Sequence, residues 1–187
     1  MPYAIGETVA PFTLPRAEGG DLTVDPSENA ATVVVFTANH CPYALAWHER
    51  IQDIARDYED RGVAVVQINA NDASRHPSDS LESSAARVAA GAFASPFVID
   101  GSQDVARAWG ATNTPHVFVL DGSGALAYRG APDADYEDPE QNGSYVRDAL
   151  DEILAGEAVS RAETEAVGCT VKWAAEPLQL GLRAASD

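Results

Sequence analysis

The run Thr32-Val33-Val34-Val35-Phe36 constrains this chain most, because it is apolar and β-branched without any polar alternation. A strand of that kind needs cover on both faces, which places it inside a layered sheet rather than at a wet surface. A helical pattern follows at once: Trp47, Ile51, Ile54 and Tyr58 fall at i, i+4, i+7 and i+11 within 43–61, one face of a helix that Arg61-Gly62 stops. Between strand and helix stands Asn39-His40-Cys41-Pro42. Proline suits the first helical position because its missing N–H has no partner there.

A cysteine at such a junction sits beside the free N–H groups of the first helical turn, and these favour an anion. At the free pKa of about 8.5 roughly 3% of a thiol is thiolate at pH 7, so a fall of two units changes its reactivity profoundly. Cys41 is therefore read as a nucleophile or redox centre, against the alternative of a buried structural cysteine.

The other cysteine, Cys169, lies 128 positions away. Two cysteines are too few for a disulfide-stapled scaffold or for an all-cysteine zinc site in one chain. His40, His48, His76 and His116 show no HxxxH spacing, so neither a metal nor another cofactor is expected. A net charge of −17 argues against nucleic acid or an anionic membrane as partner. The acidity and the single lysine, Lys172, suit either a saline cytoplasm or a GC-rich genome. With no leader-like start and no apolar run of eighteen residues, a cytoplasmic location is expected.

Further elements read as follows. Ala10-Pro11-Phe12-Thr13-Leu14 ends a short edge strand over 6–14, and the turn Gly19-Gly20-Asp21 precedes Leu22-Thr23-Val24. Strands are expected over 63–70 and 96–100, a loop over 71–80, and helices over 81–92 and 103–109. A hairpin joins Val117-Phe118-Val119-Leu120 to 125–129 through Asp121-Gly122-Ser123-Gly124. An acidic loop over 133–142 leads to a last helix over 145–154, with Val146, Leu150, Ile153 and Leu154 on its buried side. The order describes an α/β layer structure around a mixed sheet.

Four segments together resemble the thioredoxin fold in its peroxiredoxin-like branch. They are Gly6 with Ala10 to Leu14, then Phe36-Thr37-Ala38-Asn39-His40-Cys41-Pro42, then Trp109-Gly110-Ala111-Thr112-Asn113-Thr114-Pro115, and Val167-Gly168-Cys169-Thr170-Val171-Lys172-Trp173. The second and last also look like an uncharacterised bacterial and archaeal peroxiredoxin-like group, of the alkyl hydroperoxide reductase and thiol-specific antioxidant type. The resemblance implies a thioredoxin-like α/β fold: a central mixed β-sheet flanked by helices, an N-terminal β extension and an irregular C-terminal tail. A domain over 1–157 is expected, with the tail 158–187 carrying Cys169 and packed on it. It also implies that Cys41 takes the place of the attacking cysteine and Thr114-Pro115 that of the cis-proline pair beside it.

Departures from the family pattern are specific. The second cysteine of Cys-x-x-Cys is replaced by Ala44, and Ala38 stands where peroxiredoxins carry a threonine. Thr114-Pro115-His116 offers no peroxide-activating arginine. Cys169 is then the candidate resolving thiol, within the chain or across a dimer, if it is not inert in a packed tail. Asn39, His40, Pro42, Thr114, Pro115 and Trp173 complete the expected site, with His40 supporting the thiolate or standing exposed, and Trp173 covering the site or serving in packing. The reading is a thiol-dependent oxidoreductase acting on disulfides. Its partners are a thiol reductant and a disulfide-bearing protein, or a peroxide. The alternatives are a peroxiredoxin-like thiol peroxidase and a non-catalytic binding module of the same fold.

Overall fold

A computed structural model describes residues 1–175; the expected tail domain therefore lies partly outside the described residues. Thirteen named elements build the fold. A small antiparallel hairpin, β1 (Phe12–Pro15) and β2 (Asp21–Val24), comes first. The expected strand over 6–14 is shorter and later than read, since only Thr8 bridges to Ala125 before β1 begins. Pro11 delays regular pairing because it has no N–H to give.

The central sheet has the order β5-β4-β3-β7-β8. Strand β3 (Ala31–Thr37) runs parallel to β4 (Val63–Asn69), which runs parallel to β5 (Phe97–Ile99). On the other side β3 pairs antiparallel with β7 (His116–Leu120), and β7 with β8 (Leu126–Gly130). The sheet is thus mixed, and all seven residues of β3 are buried.

Period-two alternation divides β3 between two cores. Val33 and Val35 face Trp47, Ile51, Ile54 and Tyr58 of α1 (Pro42–Tyr58) and Val146 and Leu150 of α4 (Ser144–Leu154). Val34 and Phe36 face the opposite side, with Trp109 from α3 (Asp104–Trp109) and Val24 from the hairpin. Helix α2 (Leu81–Ala89) precedes β5 and is capped by the Ser80 hydroxyl, which accepts from the Ser83 N–H.

Two very short strands lie apart from this sheet: β6 (Asn113–Thr114) pairs antiparallel with β9 (Cys169–Thr170). The Thr114–Pro115 peptide between β6 and β7 is cis. No helix among the described residues is long and apolar enough to cross a membrane.

Candidate active site around Cys41

Cys41 occupies the N-cap of α1, with extended backbone angles (φ −78°, ψ 121°) and Pro42 as the first helical residue. Its carbonyl accepts the Leu45 N–H at 3.0 Å, closing the first turn. A serine or aspartate would cap the helix with its side chain; the sulfur does not, and is left for chemistry. It is fully buried in a small cluster with Ala38 and Ala44, against which Tyr43 and Cys169 pack.

Three chain segments that are distant in sequence meet at this sulfur. As a thiol, Cys41 donates to the Thr114 carbonyl at 3.1 Å. The Cα register places Cys169 opposite Thr114, so the second cysteine sits on the neighbouring strand beside the first. Both are free thiols. Cys169 is part of a paired strand and is half-buried.

Burial pushes the Cys41 thiol up, but donors around the sulfur outweigh it, and the pKa lies below the ordinary cysteine value. The lowering comes, largest first, from the neighbouring Cys169 thiol, the Thr114 hydroxyl and the nearby backbone N–H groups of Ala44 and Cys169, which lie around the sulfur without forming a helix cap. The Thr114 hydroxyl is buried without a hydrogen-bond partner, close enough to the sulfur to favour its anion. The Ala44 N–H belongs to the first helical turn, where free amides favour an anion. Cys169 moves the other way, to about 11, through burial and then through its contact with Cys41. Of the two neighbouring thiols, Cys41 is the one whose ionised form the surroundings favour.

The two residues before Cys41 are fixed by Asp79, in the loop preceding α2. Asp79 has no exposed side-chain surface, accepts the Asn39 N–H at 2.6 Å and the Asn69 amide at 3.0 Å, and pairs with the His40 ring. Asn39 also donates to the Ser78 carbonyl and the Ser84 hydroxyl, each at 2.9 Å, and accepts from Arg87 at 2.5 Å. His40 is stacked on His76, with ring centroids 4.0 Å apart, and is mostly buried rather than free in a loop. An arginine thus reaches the active-site loop, although from α2 and not from the Thr114 segment. Asp79, His76 and Arg87 carry no periodic or motif signal in sequence. The polar 71–80 segment that holds the first two reads simply as a loop.

Trp173 does not cover the thiol. It packs on the core cluster that contains Trp109, under the Arg107 guanidinium at 4.6 Å. Three residues beyond β9, the chain has already turned away towards α3. Among the described residues, no group of three or more His, Cys, Asp or Glu side chains is placed to hold a metal ion.

A mixed sheet between helices, a buried thiol at a helix N-terminus and a cis-proline strand beside it define the class of thioredoxin-fold, thiol-dependent oxidoreductases. Residues 5–129 match the model of the AhpC/TSA family, and the chain belongs to that family. Among solved structures, it is similar to a hypothetical protein from Sinorhizobium meliloti, at 36% identity over 92% of this chain and 96% of that one, with a TM-score of 0.86. An uncharacterised conserved protein from Geobacillus kaustophilus is 31% identical over 94% and 95%, with a TM-score of 0.87. The peroxidoxin BcpB from Mycobacterium tuberculosis shares the fold at 20% identity, over 82% of this chain and 97% of that one, with a TM-score of 0.60. None of the curated proteins matches.

Proposed function

We propose that this chain is a two-cysteine oxidoreductase in which Cys41 attacks and Cys169 resolves. The observation that carries the reading is the β6–β9 pairing, which lays Cys169 against Cys41 across 128 residues of sequence. With a disulfide substrate the Cys41 thiolate bonds to one substrate sulfur, and the other leaves as a thiolate. Cys169 then attacks the Cys41 sulfur of the mixed disulfide, releasing the remaining substrate thiol and leaving a Cys41–Cys169 disulfide. An external thiol reductant restores both cysteines.

The pKa ordering suits this sequence of events. Cys41 is the more acidic thiol, and Cys169 is pushed up to about 11 by burial and then by its contact with Cys41. Once Cys41 is bonded to substrate, its raising effect on Cys169 falls away, while Lys172 still favours the Cys169 thiolate. Formation of the first bond therefore eases the second attack.

A second reading, reduction of a hydroperoxide, is supported by the complete burial of Cys41 and by the Thr114 hydroxyl beside it. There the thiolate takes the terminal oxygen to become a sulfenic acid, and an alkoxide or hydroxide leaves. Cys169 then forms the same disulfide with loss of water. Turnover of dithiobis(nitrobenzoate) and of hydrogen peroxide by Cys41→Ser and Cys169→Ser variants tests both readings. Cys41→Ser should abolish turnover. Cys169→Ser should keep one stoichiometric reaction and lose the cycle. Equal turnover by Cys41→Ser contradicts the proposal.

A further inference from the structure

The strap that carries Cys169 occupies a stretch of backbone edge that flanks the reactive sulfur. Strand β6 contributes two residues, Asn113 and Thr114, and both are paired with Cys169–Thr170. An extended chain bearing a disulfide needs such an edge, because strand addition supplies the main-chain hydrogen bonds that hold a peptide in place. Cys169 uses the edge in that way itself, with its backbone on Thr114 and its sulfur on Cys41.

The strap is tied at both ends. Upstream, the Arg129 N–H donates to the Ala162 carbonyl at 3.0 Å, and the Thr164 N–H to the Arg129 carbonyl at 3.1 Å. Downstream, the Val171 N–H donates to Thr112 at 3.0 Å, and the Gln103 amide clamps the Lys172 carbonyl at 3.0 Å while accepting the Ala174 N–H at 3.0 Å. Gln103 does this from a left-handed backbone conformation (φ 65°), which a non-glycine residue adopts at a cost. Between the ties, the Asn113 amide donates to the Gly168 carbonyl at 3.0 Å. Gly168 is forced by the approach: its φ is 152°, and a Cβ there would lie 2.1 Å from the Thr114 carbonyl oxygen.

Resting on the reading of Cys41 as the attacking thiol, we propose that the 167–170 strap determines specificity by closing the peptide edge beside Cys41. Extended disulfide-bearing chains, which need the edge, are excluded while the strap is paired, whereas low-mass oxidants do not depend on it. Gly168 is the residue that permits that closure.

The test uses a Cys169→Ser background, in which reaction at Cys41 stops after the first bond. Rates of Cys41 modification are measured with hydrogen peroxide, dithiobis(nitrobenzoate) and insulin, each normalised to a free thiol of known reactivity. Insulin should be disfavoured against both small oxidants by about a hundredfold or more, because only the fraction with an open strap reacts. Gly168→Ala should raise the insulin rate by about tenfold or more by enlarging that fraction, with small-oxidant rates changed by less than about threefold. Asn113→Ala, which removes one strap hydrogen bond, should act in the same direction and stands in if Gly168→Ala does not fold. Insulin reacting as readily as the small oxidants, or a ratio unmoved by a folded strap variant, overturns the proposal. If no oxidant modifies Cys41, the thiol reading itself fails, and the proposal with it.

Discussion

Asp79 offers the sharpest structural prediction, because one carboxylate holds the loop that presents Cys41. Replacing it with alanine leaves three donors without their acceptor: the Asn39 N–H, the Asn69 amide and the His40 ring. Water has poor access to a side chain with no exposed surface. Each unsatisfied buried group costs about 1–3 kcal/mol. With three donors whose losses overlap, Asp79→Ala should lose about 3–5 kcal/mol in total. For a chain of this size that corresponds to a fall in Tm of roughly 6–20 °C. Urea denaturation followed by tryptophan fluorescence gives the free energy. Asp53→Ala is the control, since its ion pair with Arg56 is more than half exposed on both sides and is worth about 0–1 kcal/mol. A loss below about 1 kcal/mol for Asp79→Ala would refute the reasoning that Asp79 anchors the active-site loop.

Two further outcomes concern pH. Cys41 should be alkylated by iodoacetamide with a midpoint below that of an ordinary cysteine, and Thr114→Val, which keeps volume and burial but removes a donor, should raise that midpoint. An unchanged midpoint would remove the Thr114 hydroxyl from the account. His116 is pushed by burial, and then by Arg129, from the usual 6.5 down to about 4. The folded state thus prefers the neutral ring, so the stability it contributes is full above about pH 6.5 and is lost as pH falls through about 4. Urea midpoints should drop over that window by an amount equivalent to about 3 kcal/mol, and His116→Phe should flatten the fall; a profile identical to the parent contradicts this assignment.

The parts of the fold that are legible in sequence are those with a periodic or steric signature. The apolar β3, the helical face of α1 and the glycine after α3 each obey a local rule, and they put Cys41 at a helix start. The Asp79 network obeys no such rule, because hydrogen bonds from Asn39, Asn69 and His40 converge through tertiary structure alone. Cys169 is the intermediate case. Its chemistry is visible in the residue type, but its place beside Cys41 depends on two-residue strands too short to leave a pattern. Trp173 takes the packing role of the two that its sequence position allows, against α3, because the chain turns after β9.

The central claim is that Cys41 and Cys169 form the redox pair. Its most direct test is peptide mapping by mass spectrometry, under non-reducing conditions, after oxidation of the reduced protein with one equivalent of hydrogen peroxide or dithiobis(nitrobenzoate). The account predicts a Cys41–Cys169 disulfide within one chain, reversed by a dithiol. A Cys41 that remains a sulfenic acid or an unresolved mixed disulfide while Cys169 stays free would contradict it.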